Sequence, residues 1–335
     1  MSSEESAFTF LPLGAIIQEF RVAGHNIVQG FPTQDLYVKH NSPYFGATIG
    51  RTSNRLKDAV INDINGKNYP LEPKNNGPNS LHGGKEGWDK KVFEGPKAVN
   101  KDGKEGLLFK YLSKDGDEGY PGTVELRVWY TASKEGEGPG AKTVLETEYE
   151  VEFVGDECEE TVVGITNHSY FNITDGPTIE GTEAVLATDN YLPVDSTGIP
   201  TGGVERFTAA EVAKPFYLGD VDPDIDDCFI MDTDPASIPL DTRSRPMRRL
   251  AAFSHPGTRL HLEVHSTEPA FQFYTGKYIN VPAVGGLPAR GPRAGFCVEP
   301  SRYVNAPNVP EWKNMCLLKK GQIYGSKVMY KAWKE

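Results

Sequence analysis

The sequence is poor in what several large function classes require. Its 335 residues include only four cysteines, Cys158, Cys228, Cys297 and Cys316. They are widely spaced and form no C-x-x-C pair, so the common zinc-ribbon and dithiol redox motifs are excluded. Basic charge is in deficit, with 35 Lys and Arg against 46 Asp and Glu, a net charge of −11. Binding a phosphate backbone needs clustered cations, so nucleic acid is not an expected partner. The one basic cluster, Arg243, Arg245, Arg248 and Arg249, sits among Ser and Pro and reads as a solvated loop. No apolar run reaches membrane-spanning length, so no membrane association is expected. The first residues, MSSEESAFTFLPLGAII, carry acids where a secretory leader carries bases. The expectation is a cytoplasmic protein with free thiols.

Helical signals are scarce, and neither a βαβ rhythm nor an internal repeat is present. Thr208–Lys214 (TAAEVAK) predicts one or two helical turns, started by Thr208 with Glu211 three residues on. What is abundant is period-2 alternation. Val124–Tyr130 (VELRVWY), Thr147–Phe153 (TEYEVEF) and Arg259–His265 (RLHLEVH) alternate apolar with polar positions, as half-buried antiparallel strands do. Asn65-Gly66 within AVINDINGKNYPL predicts a tight hairpin, because both residues tolerate positive φ. Gly-rich Lys134–Gly140 reads as a hairpin loop between two strands, and QIYGSKVMYKAW near the C-terminus as a further strand. With 38% hydrophobic residues the core can be large. These features predict an all-β chain with few short helices: one antiparallel β-sandwich domain over residues 1–335, with its chemistry on loops and strand ends.

Four segments depart from ordinary strand patterning. In GATIGRTSNR (46–55), Asn54 and Arg55 follow a small apolar strand. Arg55 reads either as a fork of donors for hydroxyls or as a surface cation paired with an acid. In NNGPNSLHGGKEGWD (75–89), His82 precedes two glycines on a freely bending backbone. Trp88 there is either an apolar platform for a sugar ring or a core residue. In TNHSYFN (166–172), His168, Tyr170 and Asn172 follow a buried-strand signature, where polar groups need partners. In GFCVEPSRYVNAPN (295–308), Glu299 ends an apolar run. A carboxylate there is either functional or ion-paired, with Arg302 as the obvious partner. Asp226 (DIDDCFIM) and Gln272 (PAFQFYTG) are weaker candidates of the same kind.

Taken in order and spacing, GRTSNR, NSLHGGKEGWDKKVF, NHSYFN, DDCF, PAFQFYTG and GFCVEPSRYVNAPN resemble the aldose 1-epimerase (galactose mutarotase) family, over roughly Phe10–Tyr330. The resemblance implies a twisted β-supersandwich holding a monosaccharide in an open cleft, as a monomer or homodimer. It implies His168 as general acid, Glu299 as general base and His82 as a catalytic partner near the ring oxygen. Asn54, Arg55, Tyr170, Asp226 and Gln272 would bind the sugar. The family commonly has His where Asp227 stands, and often Gln where Ser301 stands. The implied reaction, anomer exchange of a free hexose such as galactose or glucose, requires no metal, redox cofactor or covalent nucleophile.

Four rivals are framed by residues. A hexose-phosphate 1-epimerase needs cations in the cleft, for which Arg51, Arg293 and Arg302 are the candidates. A non-catalytic carbohydrate-binding protein on this scaffold would not need both His168 and Glu299. A glycosidase needs two flanking carboxylates, and only Glu299 stands out. A metal enzyme would use His82, His168 and Glu299 as ligands.

Overall fold

The computed structural model describes residues 7–138 and 140–335. Two antiparallel sheets dominate it. The larger has nine strands in the spatial order Phe216–Tyr217, Glu183–Leu186, Arg248–His255, Leu260–Ser266, Ile323–Lys334, Lys142–Phe153, Val124–Glu135, Lys104–Ser113 and Glu94–Lys101. Here the alternation read from sequence becomes two faces. Leu126, Val128, Tyr149, Val151, Leu262, Val264 and Val328 point into the main core. The opposite face carries ion-paired ladders, such as Arg127 with Glu125, Glu150 and Glu152. The Asn65-Gly66 hairpin joins Val60–Ile64 to Lys67–Pro70 as expected.

The smaller sheet has six strands in the order Tyr170–Phe171, Phe296–Ser301, Ala270–Tyr274, Asp226–Ile230, Asn190–Leu192 and Glu205–Arg206. One of its faces joins the shared core through Phe171, Phe296, Val298, Phe271, Phe273 and Phe229. Successive side chains alternate across a strand. The residues between those apolar ones therefore face the other way, and they are Tyr170, Cys297, Glu299, Gln272, Tyr274, Asp226 and Cys228. A β-sandwich in which one sheet turns its apolar face to the core and a polar-bearing face away from it is thus built into the period-2 pattern itself.

Several expectations are corrected. Thr208–Lys214 is irregular rather than helical. Val212 is wholly buried, and its carbonyl accepts the Leu186 N–H at 2.8 Å, docking the segment on the sheet. The α-helix is instead Gln34–His40, seven residues anchored by buried Tyr37. The four clustered arginines are not a solvated loop. Arg243 pairs with Asp241, Glu148 and Glu150; Arg245 and Arg248 pair with Asp232; Arg249 pairs with Glu263. No helix among the described residues is long and apolar enough to cross a membrane.

Candidate active site

Strand register sets the floor of the cleft. Gln272 pairs with Glu299 on one side and with Cys228 on the other, giving a row Cys228–Gln272–Glu299 across three strands. The next row on the same face is Asp226–Tyr274–Cys297–Tyr170. Above these rows lies a cleft of about 810 Å³, whose lining includes His82, His168, Asn54, Arg55, Tyr44 and the 194–198 loop.

His168 enters at the end of the short Thr166–Asn167 strand, and its backbone is fixed by N–H donation to the Ala47 carbonyl at 2.9 Å. Its Nε2 lies 3.6 Å from Glu299 Oε1, and its Nδ1 lies 3.6 Å from Cys297 Sγ. The Tyr170 ring stacks on the imidazole at 5.0 Å, Tyr44 leans on it at 5.5 Å, and His82 meets it nearly edge-on at 5.1 Å. His168 and Glu299 are each only 4% exposed.

His82 sits in the left-handed region at φ 52°, followed by Gly83 at φ 82°. A Cβ on Gly83 would come within 1.9 Å of the Gly50 carbonyl oxygen, so only glycine permits this approach. His82 Nδ1 accepts the Asn54 N–H at 3.2 Å. A neutral ring must then carry its proton on Nε2, which makes Nε2 a donor. Burial first, then the charges of His168, Arg55 and Lys90, hold His82 well below its ordinary range and keep it neutral.

Four of the five sugar-binding candidates, Arg55, Asn54, Gln272 and Asp226, form one hydrogen-bonded chain. Arg55 N–H donates to Asn54 Oδ1 at 2.9 Å, Asn54 Nδ2 donates to Gln272 Oε1 at 3.1 Å, and Gln272 Nε2 donates to Asp226 Oδ1 at 2.8 Å. Arg55 Nε is held by Asn76 Oδ1 at 3.0 Å. Gln272 thus fixes its neighbours and keeps one N–H and one lone pair for a ligand.

All eight candidates, His82, His168, Glu299, Asn54, Arg55, Tyr170, Asp226 and Gln272, line this single cleft. Three alternatives resolve differently. Trp88 is a core residue, 2% exposed, packed where a Gly50 side chain would otherwise stand. Arg302 does not pair with Glu299; it pairs with fully buried Glu268 at 2.9 Å. Arg51 and Arg293 spend their guanidinium donors on carbonyls of residues 113–122 and 219–223, away from the cleft. Among the described residues, Arg55 is the one cation lining it. Asp227 and Ser301, the two departures from the family pattern, are not among the lining residues. Tyr44, Asn76, Asp195 and Tyr274 also line the cleft; Asn76 and Tyr274 lie in segments already marked by His82 and Gln272, whereas Tyr44 and Asp195 come from loops that only the packing brings to the cleft.

The electrostatics follow from burial. Desolvation pushes Glu299 well above the usual carboxylate range; nearby Asp226 adds to this and Arg55 opposes it. Desolvation pulls His168 down to about 4, and its own carbonyl pulls slightly the other way. Between those limits the pair shares one proton. The arrangement can therefore remove a proton at one point of a ligand and deliver one at another. The donor atoms of His82, His168 and Glu299 lie within 4.8 Å of one another, a grouping of metal-ligand type.

Comparison with known proteins is consistent over the whole chain. The family model described as aldose 1-epimerase matches residues 1–331. The bifunctional protein gal10 of Schizosaccharomyces pombe is 36% identical over 324 residues, covering 96% of this chain and 43% of that protein. The chain thus spans less than half the length of such bifunctional relatives. The galactose mutarotases of Sus scrofa and Homo sapiens are 36% and 34% identical, covering 89% and 91% of this chain and 81% and 83% of theirs. The crystal structure of an aldose epimerase homologue from C. elegans superposes with a TM-score of 0.80 at 22% identity, covering 98% of this chain and 95% of that one. The galactose 1-epimerase of Lactobacillus acidophilus NCFM does so with a TM-score of 0.77 at 22% identity, covering 99% and 93%.

Proposed function

Because this chain belongs to the aldose 1-epimerase family, we propose that it interconverts the α and β anomers of a free hexose such as galactose or glucose. The observation that carries this reading is the buried His168–Glu299 pair, 3.6 Å apart on the floor of a cleft rich in hydroxyl-binding side chains.

A hemiacetal exchanges anomers by opening and reclosing. Opening removes a proton from the C1 hydroxyl and adds one to the ring oxygen. Glu299 as carboxylate takes the first proton and His168 as imidazolium supplies the second. The pair holds the one proton this requires, in either of two distributions: carboxyl with imidazole, or carboxylate with imidazolium. A bound sugar offers a hydroxyl to Glu299 and an ether oxygen to His168, which favours the second. Rotation about C1–C2 presents the other carbonyl face, and reclosure reverses both transfers. His82, neutral and donating through Nε2, and Arg55 stabilise charge developing at the ring oxygen. Asn54, Gln272, Asp226 and Tyr170 orient the hydroxyls and the ring.

Two observations favour a neutral sugar over a phosphorylated one. Among the described residues Arg55 is the one lining cation, and Asp195, Asp226 and Glu299 add acids. A polarimetric panel of free aldoses tests the reading. Accelerated mutarotation supports it, and binding without turnover would favour a carbohydrate-binding role.

A further inference from the structure

Nδ1 of a catalytic histidine decides which nitrogen does the chemistry. In His168 the side-chain partner of Nδ1 is the sulfur of Cys297, at 3.6 Å. This is within reach of a hydrogen bond to sulfur, and no carboxylate is recorded there among the described residues. Cys297 is wholly buried and does not line the cleft. Register fixes it: Cys297 pairs with Tyr170 on one side and Tyr274 on the other, two residues before Glu299 on the same strand face. The strand that supplies the proposed base therefore also supplies the atom behind the proposed acid.

We infer that Cys297 is a positioning residue whose sulfur accepts the Nδ1–H of His168, so that Nε2, facing Glu299, is the nitrogen that exchanges protons with the sugar. The inference rests on the acid–base reading above. In both one-proton distributions of the pair, Nε2 faces Glu299 across 3.6 Å, as an N–H toward the carboxylate or as a lone pair toward the carboxyl. Nδ1 then carries a hydrogen in both, and sulfur is its side-chain acceptor in both, beside the residue's own carbonyl. The group hydrogen-bonded to one imidazole nitrogen sets which nitrogen is protonated, in this way. A thiol is a weak acceptor. It therefore orients the ring without adding a second negative charge beside Glu299, which a carboxylate would do. Burial holds the Cys297 thiol up and the nearby Glu299 charge adds to this; a hydrogen bond with Tyr170 opposes both without overcoming them, so the sulfur stays neutral.

The groups facing His168 from every side are Glu299 at Nε2, Cys297 at Nδ1, the Tyr170 and Tyr44 rings and the His82 edge. Lys90 lies over the Tyr44 ring at 5.5 Å. Arg55 and Asp226 act on the neighbouring His82 and Glu299.

The test compares Cys297→Val, similar in size but without an acceptor, with Cys297→Ser, which keeps one. Steady-state mutarotation is followed against pH. Cys297→Val is expected to lose roughly tenfold in kcat, the lower end of what losing a hydrogen bond that orients a functional histidine costs, with KM unchanged because Cys297 does not reach the sugar. Its acidic limb should move to lower pH, since the imidazolium has lost an acceptor. Cys297→Ser should restore both kcat and the limb. Equal kcat and an unmoved acidic limb in Cys297→Val overturn the inference, as do parallel losses in Val and Ser that track melting temperature. Nitrogen-15 spectra of His168 in the unaltered protein give a test independent of folding. Hydrogen on Nδ1 at neutral pH supports the assignment, and hydrogen on Nε2 alone contradicts it. An unaltered protein without any mutarotase activity would instead count against the function on which the inference rests.

Discussion

At the residue scale, the two proposed proton-transfer groups are held away from their ordinary titration ranges by burial. A histidine with a depressed pKa gains a second proton for the pair only near about pH 4, and a carboxyl with a raised pKa loses the shared proton well above the usual carboxylate range. The rate of mutarotation should therefore follow a bell. It should fall on the acid side toward pH 4, and fall on the alkaline side as Glu299 loses its proton above the usual carboxylate range. An acid limb lying instead around pH 6.5 would show that His168 titrates as if exposed.

Glu299 also links function to stability. A carboxyl whose folded-state pKa is raised favours the protonated form in the fold. Its stability contribution is whole below the unfolded value of about 4.3 and is lost as pH climbs toward the folded value. Glu299→Gln, neutral at every pH, should relieve this and raise the melting temperature at pH 7, by about 1–2 °C for each kcal/mol relieved in a chain of this length. Differential scanning calorimetry at pH 5 and pH 8 checks the sign, since the gain should be larger at pH 8. These residues were legible in sequence because polar groups stood where the alternation called for buried ones. Tyr44 and the Cys297–His168 contact were not legible, because they exist only once separate segments pack together. Trp88 was ambiguous for the opposite reason: its burial depends on Gly50, 38 positions away in the chain.

At the element scale, the six-stranded sheet does two jobs with one pattern. In Phe296–Ser301 the core takes Phe296 and Val298, and the opposite face carries Cys297 and Glu299. Arg302, just beyond the strand, turns away from Glu299 and closes a buried pair with Glu268, its guanidinium 4.8 Å over the Tyr324 ring. Sequence proximity suggested the wrong partner because it carries no information on which side of the strand end each chain turns. Removing one member of a buried pair strands the other charge, which costs about 3–5 kcal/mol, whereas replacing both by apolar groups is often near neutral. Urea unfolding should show that loss for Arg302→Met and most of it regained in Arg302→Met with Glu268→Leu. An Arg302→Met variant as stable as the parent would mean that the pair contributes nothing. The 208–214 segment teaches the same lesson. Its capping pattern favoured a helix, and the Val212 carbonyl was instead taken by the Leu186 N–H.

At the scale of the whole molecule, an acidic chain with one cation in its cleft should distinguish substrates by charge. The architecture was legible from period-2 alternation, whereas the depth and charge of the cleft were not, because they depend on where Arg51, Arg293 and Arg302 come to rest. Mutarotation of free galactose and glucose should exceed that of their 6-phosphates by at least tenfold in kcat/KM. A chelator should leave the rate unchanged, because the proton transfers assigned to His168 and Glu299 need no metal ion. Faster turnover of a phosphorylated sugar would move the assignment to the phosphate-specific rival, and loss of rate on chelation would move it to the metal-ligand reading of His82, His168 and Glu299.

The central claim is that His168 and Glu299 together open the sugar ring, and polarimetry of freshly dissolved α-galactose and α-glucose tests it most directly. The unaltered protein should speed the approach to anomeric equilibrium, and Glu299→Gln and His168→Asn should each lower that rate by at least a hundredfold while remaining folded. Near-parental rates in either folded variant would contradict the account.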